Sequence, residues 1–245
     1  MKKYSNVIFD LFDTLIIFNP KLLPKIEVNG KEHFSTGKDV YCKFSEFFNN
    51  FSMDEFYNHF LSSYRKFQEL KNFDNREYPN RKRFEIMFDM MGINNVDSTI
   101  LDELVISHMN SLSNSMIFPE NYRSVIDKLK ERGYELSILS NFDYSPIVYK
   151  LLELYDITSY FNYIFISVEI GWRKPSPHAF NFAIEKLNIR TSEAVFIGDD
   201  YDRDILGASG SNIDSILINL NKKNEQFNPA LASVYEFEQI LDILN

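Results

Sequence analysis

The chain has a single cysteine, Cys42, in 245 residues, which excludes an internal disulfide and any zinc site built on cysteines. Histidine is nearly as scarce. His33, His59, His108 and His178 show no ligand spacing such as HxxxH. Basic residues are outnumbered, 26 Lys and Arg against 35 Asp and Glu, for a formal net charge of −9 and a pI near 5.0. A chain so acidic lacks the basic face that a nucleic acid or an anionic membrane demands. No apolar run approaches the ~20 residues of a membrane span. The opening MKKYSN meets the apolar VIF at once, far too short for a secretion signal, so a cytoplasmic protein is expected.

What is abundant is aromatic: 23 Phe and 14 Tyr, most of them at helical spacing. Rings in that pattern are expected to fill a core and a seam between domains. With 44% hydrophobic residues over this length, one or two domains with a substantial core are allowed.

The first strand reads Val7 to Phe9, apolar on both faces as a central parallel strand should be. After Leu15 the character changes. The stretch IEVNGKEHF, around residues 26–34, carries an Asn29-Gly30 pair between two short runs, a type I′ hairpin signal. From Lys38 to about Met116 only helical patterns follow, among them a capping box at Ser52 and Glu55 and a stop at Gly92. Strand and helix then alternate: YELSILS, YIFISVEIG, AVFIG and DSILIN as strands, separated by helical stretches, with EFEQILDIL as a terminal helix and DRDILGASGS as a short one. Alternation of this kind implies an α/β fold with a doubly wound, Rossmann-like parallel sheet. The expected division is a core of residues 1–16 and 117–245, interrupted by a mainly helical cap at 17–116.

Open parallel sheets bind ligands beyond the C-terminal ends of their strands. There the strands deliver, in turn, Asp10, Phe12, Asp13 and Thr14; Ser140 and Asn141; Arg173 and Lys174; and Asp199, Asp200, Asp202 and Asp204. Each group alone fits a turn or a helix cap. Four such groups in order on parallel strands point instead to one site. These segments, DLFDT, LSN, RKP and GDDYDRD, resemble the four motifs of the haloacid dehalogenase superfamily of hydrolases. The likeness runs over essentially the whole chain, and the helical block resembles that family's C1-type cap.

The resemblance implies a role for each matching residue. Asp10 would be a nucleophile forming an aspartyl intermediate, with Thr14 supporting its loop by hydrogen bonding. Magnesium, which suits oxygen ligands, would be held by the Asp10 carboxylate, the Phe12 carbonyl and Asp199, with Asp204 acting through water or by orienting the other ligands. Ser140, Asn141 and the neighbouring N–H groups would bind phosphoryl oxygens, and Lys174 would neutralise their charge. The implied partner is a small phosphorylated molecule, handled by a monomer or homodimer.

One position departs from the pattern. The family's phosphatases usually place a second aspartate two residues after the nucleophile, as the acid/base. Here that residue is Phe12, which transfers no proton. Asp13 is a poor stand-in if the segment is extended, because adjacent side chains then point apart. Loss of a general acid typically costs ~10²- to 10⁴-fold in rate. Three functions therefore remain open. One is a phosphohydrolase with an atypical acid/base position, slow or confined to good leaving groups such as acyl phosphates. Another is a 2-haloacid dehalogenase-like hydrolase, although its chemistry runs without metal and GDDYDRD would then crowd like charges beside Asp10. The third is a binding or regulatory protein of weak activity. In the cap, Arg76, Arg81, Lys82 and Arg83 are expected to form a solvated surface rather than to contact an anionic substrate. Trp172 could wall the site or pack elsewhere.

Overall fold

The computed structural model of the chain describes residues 3–220 and 228–245. The chain divides into two compact units, one of Met1–Ile17 and Phe118–Asn245, the other of Phe18–Ile117. In chain order, β1 (Asn6–Phe9) opens the first unit and β2 (Ile17–Phe18) carries the chain out of it. The second unit begins with β3 (Lys25–Val28) and β4 (Lys31–Phe34). Its helices are α1 (Gly37–Ser45), α2 (Met53–Asp74), α3 (Arg81–Met90) and α4 (Ser98–Ser113), and β5 (Met116–Ile117) returns the chain. The first unit then alternates through α5 (Glu120–Glu131), β6 (Glu135–Ser140), α6 (Ser145–Leu154), β7 (Phe161–Ile166), α7 (Ser167–Ile170), α8 (Pro177–Leu187) and β8 (Ala194–Gly198). It closes with α9 (Gly207–Gly210), β9 (Asp214–Ile218), β10 (Ala232–Val234) and α10 (Ile240–Ile243).

In the helical unit, local chemistry sets the element ends. Asn29 and Gly30 both adopt positive φ, 50° and 71°, which is what a two-residue I′ turn requires. Ser52 and Glu55 form the expected capping box: the Ser52 backbone N–H donates to Glu55 Oε2 at 2.9 Å, and the Glu55 N–H to Ser52 Oγ at 3.3 Å. The apolar stripe of α2, Phe56, Phe60 and Phe67, is buried; Phe56 packs on Phe44 of α1 and Phe60 on Phe84 of α3, while Phe44 also meets Phe88. Each buried ring contributes on the order of 2 kcal/mol.

In the α/β unit the sheet order is β10-β9-β8-β1-β6-β7, and every neighbouring pair is parallel. After β1 the chain adds strands on one side (β6, β7), then crosses over and adds β8, β9 and β10 on the other. The reversal lies between β1 and β8, where a doubly wound sheet opens its ligand crevice. All four residues of β1 are buried, as a strand flanked on both edges and covered on both faces must be.

Four stretches differ from the sequence-based expectations. YIFISVEIG is a strand only to Ile166. Ser167 accepts from the Phe142 N–H at 2.8 Å and donates to the Phe142 carbonyl at 3.2 Å, and Gly171, at φ 82°, closes a helical turn. DRDILGASGS begins as a π-helical turn over Tyr201–Leu206 before α9. EFEQILDIL is a 3-10 turn at Phe237–Gln239 followed by a single α-helical turn. Ala232–Val234, not anticipated as a strand, pairs with β9 because three residues of weak alternation are enough at a sheet edge. Among the described residues no helix is long and apolar enough to cross a membrane.

Candidate active site

The register places the site. Phe9 pairs with Ile138 on one side and Ile197 on the other, so the next residue of each strand leaves the sheet at the same level. The Asp10 N–H still donates to the Ile197 carbonyl at 2.8 Å, which anchors Asp10 at the very end of the ladder. The loop beyond it then folds tightly, with the Leu15 and Ile16 N–H groups both on the Leu11 carbonyl at 2.8 Å.

Lys174 organises the carboxylates. Its ammonium, 2% exposed, donates to Asp10 Oδ1 at 2.5 Å and to Asp204 Oδ1 at 2.7 Å. Asn141 holds this lysine in place through both ends of its amide, donating to the Lys174 carbonyl and accepting from the Lys174 N–H, each at 2.8 Å. Asp204 is fixed from the other side by the Asp200 N–H, which donates to its Oδ2 at 3.0 Å. Gly198 makes this approach possible: a Cβ there would fall on the Asp204 carboxyl group, so only glycine fits. Thr14, wholly buried, donates to Asp199 Oδ1 at 3.4 Å.

Asp10, Asp199 and Asp204 each offer a carboxylate oxygen within 4.8 Å of the others. Against three acids stands one lysine, and the electrostatics follow. Burial, then the charges of Asp10 and Asp204, push Asp199 up to about 8. Burial also raises Asp204, with Lys174 opposing it. Burial alone would lower Lys174, but the Asp10 and Asp204 charges outweigh that and hold its ammonium raised. Asp200 goes the other way. Its burial is overcome by Arg203, which donates from Nε at 2.8 Å and Nη2 at 2.5 Å to Oδ2, and from its backbone N–H to Oδ1 at 2.7 Å.

These groups surround a cavity of about 130 Å³. Of the residues named from the sequence, Asp10, Phe12, Asp13, Asn141, Lys174, Asp199, Asp200 and Asp204 line it. Thr14 stands behind the lining. Ser140, at the end of β6, is completely buried with no hydrogen-bond partner for its Oγ among the described residues, and is not on the lining. Phe12 faces the cavity and packs on Phe142, ring centroids 4.5 Å apart. Asp13 corrects the extended-segment expectation: it sits at φ 62°, in the left-handed region that Asp tolerates, and lines the cavity beside Phe12. Trp172 does not wall the cavity but stacks on His178 at 4.3 Å. The basic cluster of the helical unit is largely paired at its surface, Arg81 with Asp102 and Lys82 with Glu85, while Arg83 is buried. Arg203 is the lining residue that inspection of the motifs overlooked. Its signal was there, as the single basic residue inside GDDYDRD.

The family profile described as haloacid dehalogenase-like hydrolase matches residues 7–218. Among curated relatives, the glyceraldehyde 3-phosphate phosphatase of Methanopyrus kandleri is 25% identical over 186 residues, covering 74% of this chain and 78% of its own. The ribulose-1,5-bisphosphate 5-phosphatase of Halopiger xanaduensis is 29% identical over 103 residues, 42% of this chain and 43% of its own length. The match thus spans less than half of that relative. Among solved structures, a HAD phosphatase from Thermococcus onnurineus superposes with a TM-score of 0.68 at 21% identity over 98% of both chains. A 2-haloacid dehalogenase from Pseudomonas syringae gives the same TM-score and coverage at 17% identity. At such identities these two show a shared fold.

Proposed function

The chain belongs to the haloacid dehalogenase-like hydrolase family, and from that premise we propose that it is a magnesium-dependent phosphohydrolase of small phosphorylated substrates, with Asp10 as nucleophile. The observation that carries this is the trio Asp10, Asp199 and Asp204, three carboxylates within 4.8 Å of one another, with a single lysine shared by Asp10 and Asp204. Surplus buried negative charge of that kind fits a small hard cation with oxygen ligands. Asp10, Asp199 and Asp204 are the side chains that would hold it, with the Phe12 carbonyl as a fourth oxygen. Bound there, magnesium supplies the charge compensation that lets a carboxylate meet a phosphate.

The chain's own residues account for the rest. Lys174 grips Asp10 Oδ1, which orients the carboxylate and leaves Oδ2 for attack on phosphorus. As the Oδ2–P bond forms, the bond from phosphorus to the leaving oxygen breaks, and that oxygen departs with the electron pair. Water then adds to phosphorus, the P–O bond to Asp10 breaks, and inorganic phosphate is released. Phosphoryl oxygens in the cavity would meet Asn141 and Lys174 on its lining, while Ser140 stands behind it. Lys174, held by Asn141, balances charge developing on those oxygens.

Phe12 shapes the substrate range. It presents a ring where a proton donor would serve the leaving group. The fitting substrates are those whose leaving group departs as a stable anion, acyl phosphates above all. A metal-free dehalogenase is disfavoured by the same carboxylate trio, which crowds two further acids beside the nucleophile and raises Asp199 to about 8.

The test is hydrolysis of acetyl phosphate and of ethyl phosphate, with magnesium or with EDTA, by the parent and by Asp10→Asn. Acetyl phosphate should be cleaved far faster, only with metal and only with Asp10. Activity indifferent to EDTA or to Asp10→Asn would overturn the proposal. Halide release from 2-chloropropionate in EDTA would put a dehalogenase in its place.

A further inference from the structure

We infer that Arg203 is the receptor for a second oxyanion on the substrate, a carboxylate or further phosphate distinct from the phosphoryl group attacked at Asp10. This rests on the phosphohydrolase reading only for which group is attacked; the subsite itself follows from the donor inventory of the cavity.

Five carboxylates line the cavity, Asp10, Asp13, Asp199, Asp200 and Asp204, against two cations, Lys174 and Arg203. Lys174 is spoken for: it is buried, and its ammonium already serves two acids. Arg203 differs in both respects. Its side chain is 50% exposed, and of its five N–H groups only one on Nε and one on Nη2 are engaged, both with Asp200 Oδ2. The three that remain, two on Nη1 and one on Nη2, have no partner among the described residues. Among the described residues they are the exposed cationic donors of the lining, since Lys174 is buried.

The guanidinium is also held in place before any ligand arrives. Asp200 takes the Arg203 backbone N–H on one oxygen and the side chain on the other, while its own N–H is tied to Asp204. Arg203 is therefore linked, through Asp200, to the Asp204 carboxylate that Lys174 grips. A braced guanidinium with free parallel N–H groups is suited to a planar carboxylate or a phosphate, and loses little freedom on binding it. Were Arg203 simply a capping ion pair of the π-helical turn, its loss would change stability and leave ligand preference untouched.

Two uncleavable ligands decide the point: 3-phosphonopropionate, which carries a phosphonate and a carboxylate, and propylphosphonate, which lacks the carboxylate. Their affinities would be measured by calorimetry in magnesium for the parent, Arg203→Gln and Arg203→Lys. The parent should prefer 3-phosphonopropionate by about tenfold, as for one charge-assisted pair. Arg203→Gln should bring the ratio close to one with propylphosphonate binding unchanged, and Arg203→Lys should restore part of it. No preference in the parent, no binding of either ligand, or a preference that survives Arg203→Gln would overturn the inference. Loss of both ligands together in Arg203→Gln would assign the residue to the fold and overturn it as well. Acetyl phosphate left intact by the parent would sink the phosphohydrolase reading alone, while the affinity ratio still judged Arg203.

Discussion

Both units of this chain bury charge, but they do it differently. In the helical unit a buried lysine and a buried glutamate match one to one, and a buried arginine is held by neutral groups. Lys71 Nζ meets Glu77 Oε1 at 2.9 Å, both side chains nearly inaccessible. Arg83 donates to the Phe60 carbonyl at 3.2 Å and lies 3.0 Å from His108 Nε2, whose other ring nitrogen is 2.9 Å from Thr36 Oγ1. Since an arginine only donates, His108 Nε2 accepts and Nδ1 carries the proton to Thr36. Burial and the Arg83 charge hold that imidazole well below its ordinary pKa, hence neutral. In the α/β unit the count does not balance: one lysine pairs with both Asp10 and Asp204, and Asp199 lies within 4.8 Å of them. Matched buried charge specifies a structure. Unmatched buried charge costs stability, and a fold retains it where a ligand of opposite sign completes the set.

The sharpest way to break this comparison is at the nucleophile. Asp10→Asn should abolish hydrolysis of acetyl phosphate, by about 10⁴-fold or more, while raising the melting temperature of metal-free protein because one of three crowded charges is gone. A melting temperature lowered by the substitution would mean that the Lys174 pair outweighs the crowding at Asp10. Next in size is the helical unit. Lys71→Met should cost about 3–5 kcal/mol, since it strands a buried carboxylate. Lys71→Met with Glu77→Leu should recover most of that loss in urea titrations. A single substitution as mild as the double would show the pair to be idle.

Third, Phe12→Asp should raise turnover of ethyl phosphate by about 10²-fold by restoring a proton donor, with a far smaller effect on acetyl phosphate, whose leaving group needs none. Equal gains on both esters would show that Phe12 limits something other than proton transfer. The smallest effect is on pH dependence. Asp199 in the folded, metal-free chain is raised to about 8, above its unfolded value near 3.8, so between those values the folded state holds the extra proton. Stability is then lost as the pH rises from about 4 through about 8. Melting curves with EDTA should fall by a few degrees across that window, and magnesium should flatten them. A metal-free melting temperature that rose with pH would reverse the assignment.

Much of this was legible along the chain because it depends on near neighbours. The Asn29-Gly30 turn and the Ser52–Glu55 capping box are chemistry within four residues. The four strand-end motifs were equally readable, since parallel alternation carries successive strand ends to one edge. Asp13 was misjudged because a positive φ reverses where a side chain points, and nothing in DLFDT announces it. Strand β7 was read too long because Ser167 is turned aside by Phe142, a residue 25 positions earlier. Arg203 went unnoticed because its worth lies in N–H groups left over after Asp200 is satisfied, a count that needs coordinates.

By itself, then, the sequence determined the parallel α/β class, the inserted helical block and the identity of the acids that reach the sheet edge. These follow from periodicity and residue type, which act over a few positions at a time. Only the tertiary structure decided that Lys174 joins Asp10 to Asp204, that Asn141 braces the lysine, and that Phe12 packs on Phe142 at the cavity. Those contacts link residues between 30 and 164 positions apart. Their balance of charge exists only once the chain has brought them together and buried Asp10, Lys174 and Asp204, where charges interact more strongly than in water.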